Sequence, residues 1–158
     1  HFSVFDNEII CRCGKKGCLE TEVSGSALHR ILCEKVKNGQ SSILSKRILT
    51  GETSLTLEEI VDATNKEDIL CIELVEEIGR KLGRYLAGLI NLFNPELVVI
   101  GGTLALTEDY ILQPIKTAIR KYSLNLVSKD SAVVLSKLQA KAGVIGACLL
   151  SRSKLFEW

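Results

Sequence analysis

A chain of 158 residues is long enough for one domain with a sizeable core, and 46% apolar and 25% charged residues are ordinary proportions for a globular protein. The 20 basic and 19 acidic residues leave a net charge of +1, which argues against a general nucleic-acid-binding surface. No apolar run reaches the roughly 18 residues that cross a bilayer, so no membrane span is expected. The chain lacks methionine and a basic, apolar leader, so we interpret it as part of a longer polypeptide.

The first half of the chain is predicted to contain a short strand, a polar loop and two helices. Residues 2–6 have the pattern of a strand, and residues 7–18 that of a polar loop. Apolar residues recur at helical spacing from Ser24 or Ser26 to Lys37, and Asn38-Gly39 then predicts a helix stop. Residues 40–54 are predicted to be a linker with one helical turn. Thr56 and Glu59 have capping-box spacing, which predicts the start of a helix. This helix is predicted to be short, because Asn65 is predicted to begin the next one.

A long helix is predicted over residues 67–93, where apolar residues form one stripe and Asn94-Pro95 ends the pattern. Gly79, Gly83 and Ala87 are four residues apart, so their row predicts the close approach of another backbone. Strands are predicted over residues 96–102 and 131–138, and helices over residues 108–122 and 142–156. The first of these strands is apolar on both faces and suits the centre of a covered sheet. The alternation of helices and strands predicts an α/β fold.

The six cysteines fall into two groups. Cys11, Cys13 and Cys18 are clustered, whereas the other three are isolated in apolar contexts. This placement does not fit a small disulfide scaffold and favours a reducing cytoplasm. The isolated thiols are predicted to be free and to act as buried small hydrophobic groups at Cys33, Cys71 and Cys148.

The cysteine cluster predicts a zinc site. Its three thiolates are brought into one small volume by Gly14 and Gly17, and tetrahedral zinc needs a fourth ligand. His1 is the candidate for that ligand, because a strand out and a loop back would bring it close to Cys11. A closed set of four ligands predicts a structural zinc ion. The alternative is a disulfide between Cys18 and either Cys11 or Cys13.

The segment CRCGKKGCLE, residues 11–20, resembles the zinc signature C-x-C-G-x-x-G-C-x-E of the ROK family of repressors, open reading frames and kinases. The resemblance continues in SGSAL at residues 24–28, NPELVVIGG at 94–102 and AGVIGA at 142–147, and so covers nearly the whole chain. It implies one domain over residues 1–158. That domain would be the C-terminal lobe of an actin-like, ribonuclease-H-like ATPase fold with a structural zinc loop, and the N-terminal lobe would precede it.

The same resemblance implies which residues bind ligands. In ROK sugar kinases the histidine and the glutamate of the signature contact sugar hydroxyls, and their counterparts here are His1 and Glu20. Gly101 and Gly102 match the turn that lies against nucleotide phosphates in the kinases. The alternatives are that Glu20 only interacts with a helix dipole, and that the glycines only form a tight turn.

A catalytic residue is not expected in this segment, because the general-base aspartate and the phosphate-binding loop of the kinases lie upstream of His1 in the family. Kinases usually have a third glycine after the strand, whereas Thr103 follows Gly102 here and would crowd a nucleotide. The favoured hypothesis is therefore the sugar-sensing and oligomerisation domain of a ROK repressor of carbohydrate genes, such as the xylose and N-acetylglucosamine repressors.

Under that hypothesis the protein binds a monosaccharide or sugar phosphate, forms a dimer or tetramer, and contacts operator DNA through an N-terminal domain outside this segment. The second hypothesis is half of an ATP- and magnesium-dependent hexose kinase, such as a glucokinase or fructokinase. The third is a free-standing zinc-binding interaction module, against which the long apolar helices argue.

Overall fold

The structure, a computed structural model, describes residues 1–51, 55–125 and 130–155. The helices and strands in these ranges are α1 (Glu20–Val23), α2 (Gly25–Lys37), α3 (Ser45–Thr50), α4 (Leu57–Asn65), α5 (Ile69–Phe93), β1 (Leu97–Ile100), α6 (Asp109–Tyr122), β2 (Ala132–Leu135) and α7 (Ala142–Leu155). Two short 3-10 helices cover Thr103–Thr107 and Gln139–Lys141. None of the described helices combines the length and apolar character that a membrane crossing requires.

The helix predicted from Ser24 is confirmed as α2. The Ser24 hydroxyl caps its first turn by accepting the Ala27 N–H at 3.2 Å. The helix ends at Asn38, and Gly39 then adopts a positive φ of 94°. The predicted helical turn in the linker is confirmed as α3, although residues 52–54 of that linker lie outside the described ranges.

The capping box at the start of α4 is confirmed. The Glu59 N–H donates to the Thr56 hydroxyl at 3.3 Å, and the Thr56 N–H donates to the Glu59 carboxylate at 2.9 Å. The prediction that Asn65 starts the next helix is wrong, because Asn65 is the last residue of α4 and Asp68 caps α5. Asparagine and aspartate are both good caps, so residue type alone did not distinguish the two positions.

Asp68 fixes the start of α5 against the preceding linker. Its carboxylate accepts the N–H of Cys71 at 2.9 Å and the N–H of Ile43 at 2.7 Å. Burial by itself would raise the pKa of Asp68, but the two backbone hydrogen bonds outweigh it and lower the pKa below its ordinary value. The buried carboxylate therefore stabilises the fold in its charged form.

The row of small residues on α5 packs against α6, as predicted. A Cβ atom at Gly83 would lie 2.5 Å from the Ile115 carbonyl oxygen and 2.8 Å from the Ala118 Cβ. At Gly79 it would lie 3.0 Å from the Ile111 carbonyl oxygen. The two backbones thus touch along this seam. The helices around it enclose a core of fully buried aliphatic side chains that includes Leu28, Leu32, Ile60, Val75, Ile78, Ile111 and Ile115.

The strands β1 and β2 pair in parallel, with Val98 opposite Val133 and Ile100 opposite Leu135. Parallel strands joined through a helix confirm the predicted α/β class. The prediction that the first strand is covered on both faces is wrong for this chain. Val133 is buried on the core side, whereas Leu97 and Val99 on the other face are 54% and 53% exposed. That second face has no cover among the described residues.

The last helix, α7, is confirmed over Ala142–Leu155, but none of its described side chains is buried. Its exposed apolar residues include Val144, Leu149 and Leu150. Cys148 is also exposed, and Cys33 is half-buried, so the prediction of buried isolated thiols is right for Cys71 and wrong for the other two. Apolar sequence neighbours indicated burial, but here the surface that would bury this helix is not supplied by the described chain.

The predicted strand at residues 2–6 is wrong. Only isolated antiparallel bridges form there, one between Ser3 and Cys18 and another between Ile10 and Lys16. The segment is held instead by the Gly17 carbonyl, which accepts the N–H groups of both Val4 and Phe5 at 2.9 Å. The chain therefore turns back on the polar loop without joining a sheet.

Candidate metal centre and adjoining cleft

Residues 1–19 form a loop, here called the cysteine loop, in which the backbone crosses itself closely. The Cys11 N–H donates to the Lys15 carbonyl at 2.8 Å, and the Gly14 N–H donates to the Cys11 carbonyl at 2.9 Å. Gly14 and Gly17 both have positive φ, at 86° and 65°. A Cβ atom at Gly17 would lie 1.9 Å from the Phe5 carbonyl oxygen. These turns bury the Cys11 and Cys18 side chains and leave Cys13 exposed beside them.

The loop brings together three of the four predicted zinc ligands and places the fourth beside them. The donor atoms of His1, Cys11 and Cys13 lie within 4.8 Å of one another, and His1 Nδ1 is 3.3 Å from the Cys11 Sγ. The Cys18 Sγ lies 3.6 Å from the Cys13 Sγ. All six cysteines of the chain are free thiols, so the disulfide alternative is not realised.

These side chains fit a tetrahedral zinc ion. With zinc–sulfur bonds near 2.3 Å, two ligand sulfurs of a tetrahedral site are about 3.7 Å apart. The Cys13–Cys18 separation of 3.6 Å matches that spacing. One imidazole and three thiolates form a closed ligand set of the structural kind, with no position left for a substrate. This set of side chains could therefore hold zinc.

The thiols of the cluster differ in acidity. A hydrogen bond from the Lys15 backbone N–H, supported by Cys18 and Cys11, lowers the pKa of Cys13. Loss of contact with water raises the pKa of Cys18 to about 11, and its hydrogen bonds with Cys13 and Cys11 act in the same direction. Binding of a metal ion must therefore displace a proton from Cys18, which makes metal affinity fall as the pH falls.

Two contacts with α5 orient the cysteine loop on the helical core. The Tyr85 hydroxyl donates to the Val4 carbonyl at 3.1 Å, and its ring meets the Phe5 ring edge-on with centroids 5.3 Å apart. Lys81 pairs with Glu22 at 2.9 Å at the end of α1. Sequence reasoning missed these anchors, although Glu77, Lys81 and Tyr85 recur every four residues on one face of a helix.

Glu20, the first residue of α1, lines a cleft of about 230 Å³ beside the cysteine loop. Arg12 and Cys11 form the loop side of this cleft, and Ser26 and Arg30 of α2 form the opposite side. His1 is not among the residues that line it. The structure therefore puts Glu20 in a cleft and His1 in the metal cluster, and does not bring both to one ligand pocket. Sequence reasoning did not identify Arg12, Ser26 or Arg30 as lining residues.

Gly101 and Gly102 follow the carboxyl end of β1. Gly102 has a φ of 86°, and a Cβ atom added there would meet no atom within 4 Å. The backbone conformation, and not crowding by the described chain, is what requires glycine at that position. Thr103 begins the 3-10 helix that follows directly. Ligands of open α/β sheets bind beyond the carboxyl ends of strands, which is where this turn lies.

This chain is similar to known proteins along most of its length. The profile described as ROK family matches residues 1–154. The chain is 30% identical over 155 residues to a glucokinase of Thermotoga maritima, covering 98% of this chain and 49% of the relative. It is 32% identical to the DNA-binding transcriptional dual regulator NagC of Escherichia coli, covering 92% of this chain and 34% of the relative.

A solved structure has the same fold. The crystal structure of a ROK family transcriptional regulator, a homologue of the Escherichia coli MLC protein, superposes with a TM-score of 0.82 at 30% identity. The superposition covers 97% of this chain and 37% of that chain. The chain thus spans between a third and half of the length of the proteins that it matches.

Proposed function

Because this chain belongs to the ROK family, we propose that it is the C-terminal lobe of a sugar-sensing ROK repressor, in which a zinc ion shapes the loop beside the sugar. In this proposal residues 1–158 form a single domain of an actin-like fold, and the other lobe and a DNA-binding head lie elsewhere in a cytoplasmic polypeptide. The zinc ligands are His1, Cys11, Cys13 and Cys18. Glu20 contacts the sugar, which is a monosaccharide or a sugar phosphate, and His1 acts as a zinc ligand beside the cleft that Glu20 lines.

The observation that carries the sugar site is the position of Glu20. Its carboxylate lies at the start of a helix of only four residues, whose dipole is too short to explain the acid by itself. It also lines a cleft together with hydroxyl and guanidinium groups. A carboxylate can accept hydrogen bonds from two adjacent sugar hydroxyls, and the zinc-bound loop would hold it in place.

The uncovered apolar surfaces support a second lobe. The outer face of the sheet at Leu97 and Val99 and the whole of α7 expose aliphatic side chains to water. Contiguous apolar surface of this kind is normally buried against another part of the protein. A preceding lobe of the same polypeptide would bury it, and a sugar bound between lobes would then shift the population of DNA-binding conformers.

The Glu20→Gln variant of the full-length protein tests the sugar site. We expect binding of the cognate sugar, found with a panel of glucose, N-acetylglucosamine and xylose, to weaken about tenfold in titration calorimetry, with an unchanged melting temperature. The matched control is Glu58→Gln, which also removes an acid from the first turn of a short helix. Equal sugar affinity in both variants and the wild type would contradict the role of Glu20.

The kinase alternative is favoured by the glucokinase of Thermotoga maritima, which aligns with 98% of this chain. In that case Gly101 and Gly102 would lie against the phosphates of ATP with magnesium, and a general-base aspartate upstream of His1 would accept the proton of the sugar hydroxyl. Thr103 directly after the glycines favours the repressor. N-terminal sequencing and intact mass of the full-length protein distinguish the two, since a winged-helix head indicates a repressor and a phosphate loop with Asn-Asp a kinase.

A further inference from the structure

A second cleft, of about 340 Å³, lies beside the seam between α5 and α6. Its walls are formed from Arg80, Lys81 and Arg84 of α5 and from Thr117, Lys121 and Tyr122 of α6. Since Gly83 brings the two backbones into contact, these longer side chains stand on either side of a fixed groove. None of them lines the cleft at Glu20, so the two clefts are separate.

The positive charge in this cleft is only partly neutralised. Arg80 pairs with Glu76 at 3.3 Å, and Lys81 pairs with Glu22 and Glu77 at 2.9 Å each. Neither of the remaining two cations pairs with a carboxylate in the described part of the chain. They instead approach one aromatic ring, with the Arg84 Cζ and the Lys121 Nζ each 5.4 Å from the ring centroid of Tyr122.

This arrangement leaves two cations of the cleft available to an anion. Each cation near the Tyr122 ring gains about 0.5–1 kcal/mol from the ring face at an exposed site, which does not neutralise its charge. Arg80 and Arg84 are also four residues apart on one helix, where like charges repel. An anion in the cleft would interact favourably with both unpaired cations. The chain therefore concentrates unneutralised charge at a rigid, concave place.

We propose that this cleft binds a phosphate dianion, either free or as the monoester of a small molecule. A guanidinium group presents paired N–H donors that match two phosphate oxygens, and the Lys121 ammonium adds a point charge beside it. The Thr117 hydroxyl can donate a further hydrogen bond. The volume falls in the range of small-molecule sites, and the two packed helices hold the backbone on either side of the cleft.

Titration calorimetry on the full-length protein at low ionic strength tests the proposal with glucose 6-phosphate, inorganic phosphate and glucose. We expect saturable binding of at least one phosphate and its weakening as salt is added. Arg84→Gln should reduce that affinity about tenfold, and Lys121→Gln should reduce it as well. The matched control is Arg120→Gln, which removes an exposed cation of α6 that does not line the cleft and should bind as the wild type does.

The arms of the titration identify the source of the phosphate. Equal affinities for inorganic phosphate and glucose 6-phosphate indicate a site for the free ion, and tighter binding of the sugar phosphate that is weakened by Arg84→Gln indicates an ester site. Inorganic phosphate carries no sugar hydroxyl for Glu20 to accept from, so a failure of the proposed sugar site would leave the inorganic phosphate titration unaffected. Absence of saturable phosphate binding, or wild-type affinity in both Arg84→Gln and Lys121→Gln, would overturn the proposal.

Discussion

In the α5–α6 pair, Gly79 and Gly83 carry no side chain, so the two backbones can touch. In the cysteine loop, by contrast, four donor side chains converge and little apolar surface is buried. The α5–α6 pair needs no ligand, because the two helices pack directly against each other. The cysteine loop is closed by turns and backbone hydrogen bonds around thiols whose side-chain partners are one another and His1. The comparison indicates that packing holds the first region, and that a bound metal ion would supply most of the stability of the second.

The largest effect is expected from Cys13→Ser in the cysteine loop. Because a closed zinc site contributes its binding energy directly to folding, the loss of one thiolate should lower zinc affinity at least about a hundredfold and lower the melting temperature. Metal content by mass spectrometry and a thermal melt measure both. Cys148→Ser is the matched control, since Cys148 is an exposed thiol of α7. A Cys13→Ser protein with full zinc content and unchanged melting would refute the ligand assignment.

A smaller effect is expected from Gly83→Ala in the helix pair. The added methyl group would lie 2.5 Å from the Ile115 carbonyl oxygen, so the helices must separate, at a cost of about 1–3 kcal/mol. Gly88→Ala is the control on the same helix, because a Cβ there meets no atom within 4 Å and should stabilise by about 0.5–1 kcal/mol. Urea unfolding of both variants measures the difference. Equal stabilities would show that the backbones do not pack as closely as described.

The smallest effect, and one that depends on pH, is expected at Asp68, which caps the first turn of α5. Its lowered pKa means that its contribution is complete above the ordinary value of 3.8 and is lost as the pH falls through the lower folded value. Asp68→Ala removes two hydrogen bonds to a buried carboxylate and should cost about 1–2 kcal/mol at pH 7.

Asp68→Asn is the sharper variant, since it keeps a capping side chain but carries no charge. The difference in unfolding free energy between the wild type and Asp68→Asn should shrink as the pH is lowered from 6 toward 3. Any metal lost at low pH would be lost from both proteins and would cancel in that difference. A gap that stays constant over this range would show that the carboxylate charge does not contribute.

The sequence predicted the helices well because each signal was local. Capping at Thr56, the stop at Asn38 and the stripe of α5 depend on residues within a few positions of one another, and the structure confirms them. The cluster of His1, Cys11 and Cys13 was also predictable, because ligand spacing constrains a short loop.

The errors arose where the environment of a residue is set by distant parts of the chain. Leu97 and Cys148 have apolar neighbours in sequence, yet the described chain provides no surface to cover them. Phe2 and Val4 have the alternating pattern of a strand, but the backbone of this segment donates its hydrogen bonds to the Gly17 carbonyl and not to a partner strand. The lining of the two clefts depends on how helices meet, which periodicity does not specify.

The Gly17 carbonyl oxygen accepts two hydrogen bonds, from the N–H groups of Val4 and Phe5, and this limits which substitutions the loop tolerates. The Lys15 side chain is exposed, so a substitution there changes charge without disturbing the turn. At Gly17 any side chain would meet the Phe5 carbonyl, and the positive φ would be strained as well. Tolerated substitutions in the loop are therefore confined to the residues between its ligands and turns. An insertion that displaced Gly17 would remove the hydrogen bonds that hold the segment carrying His1.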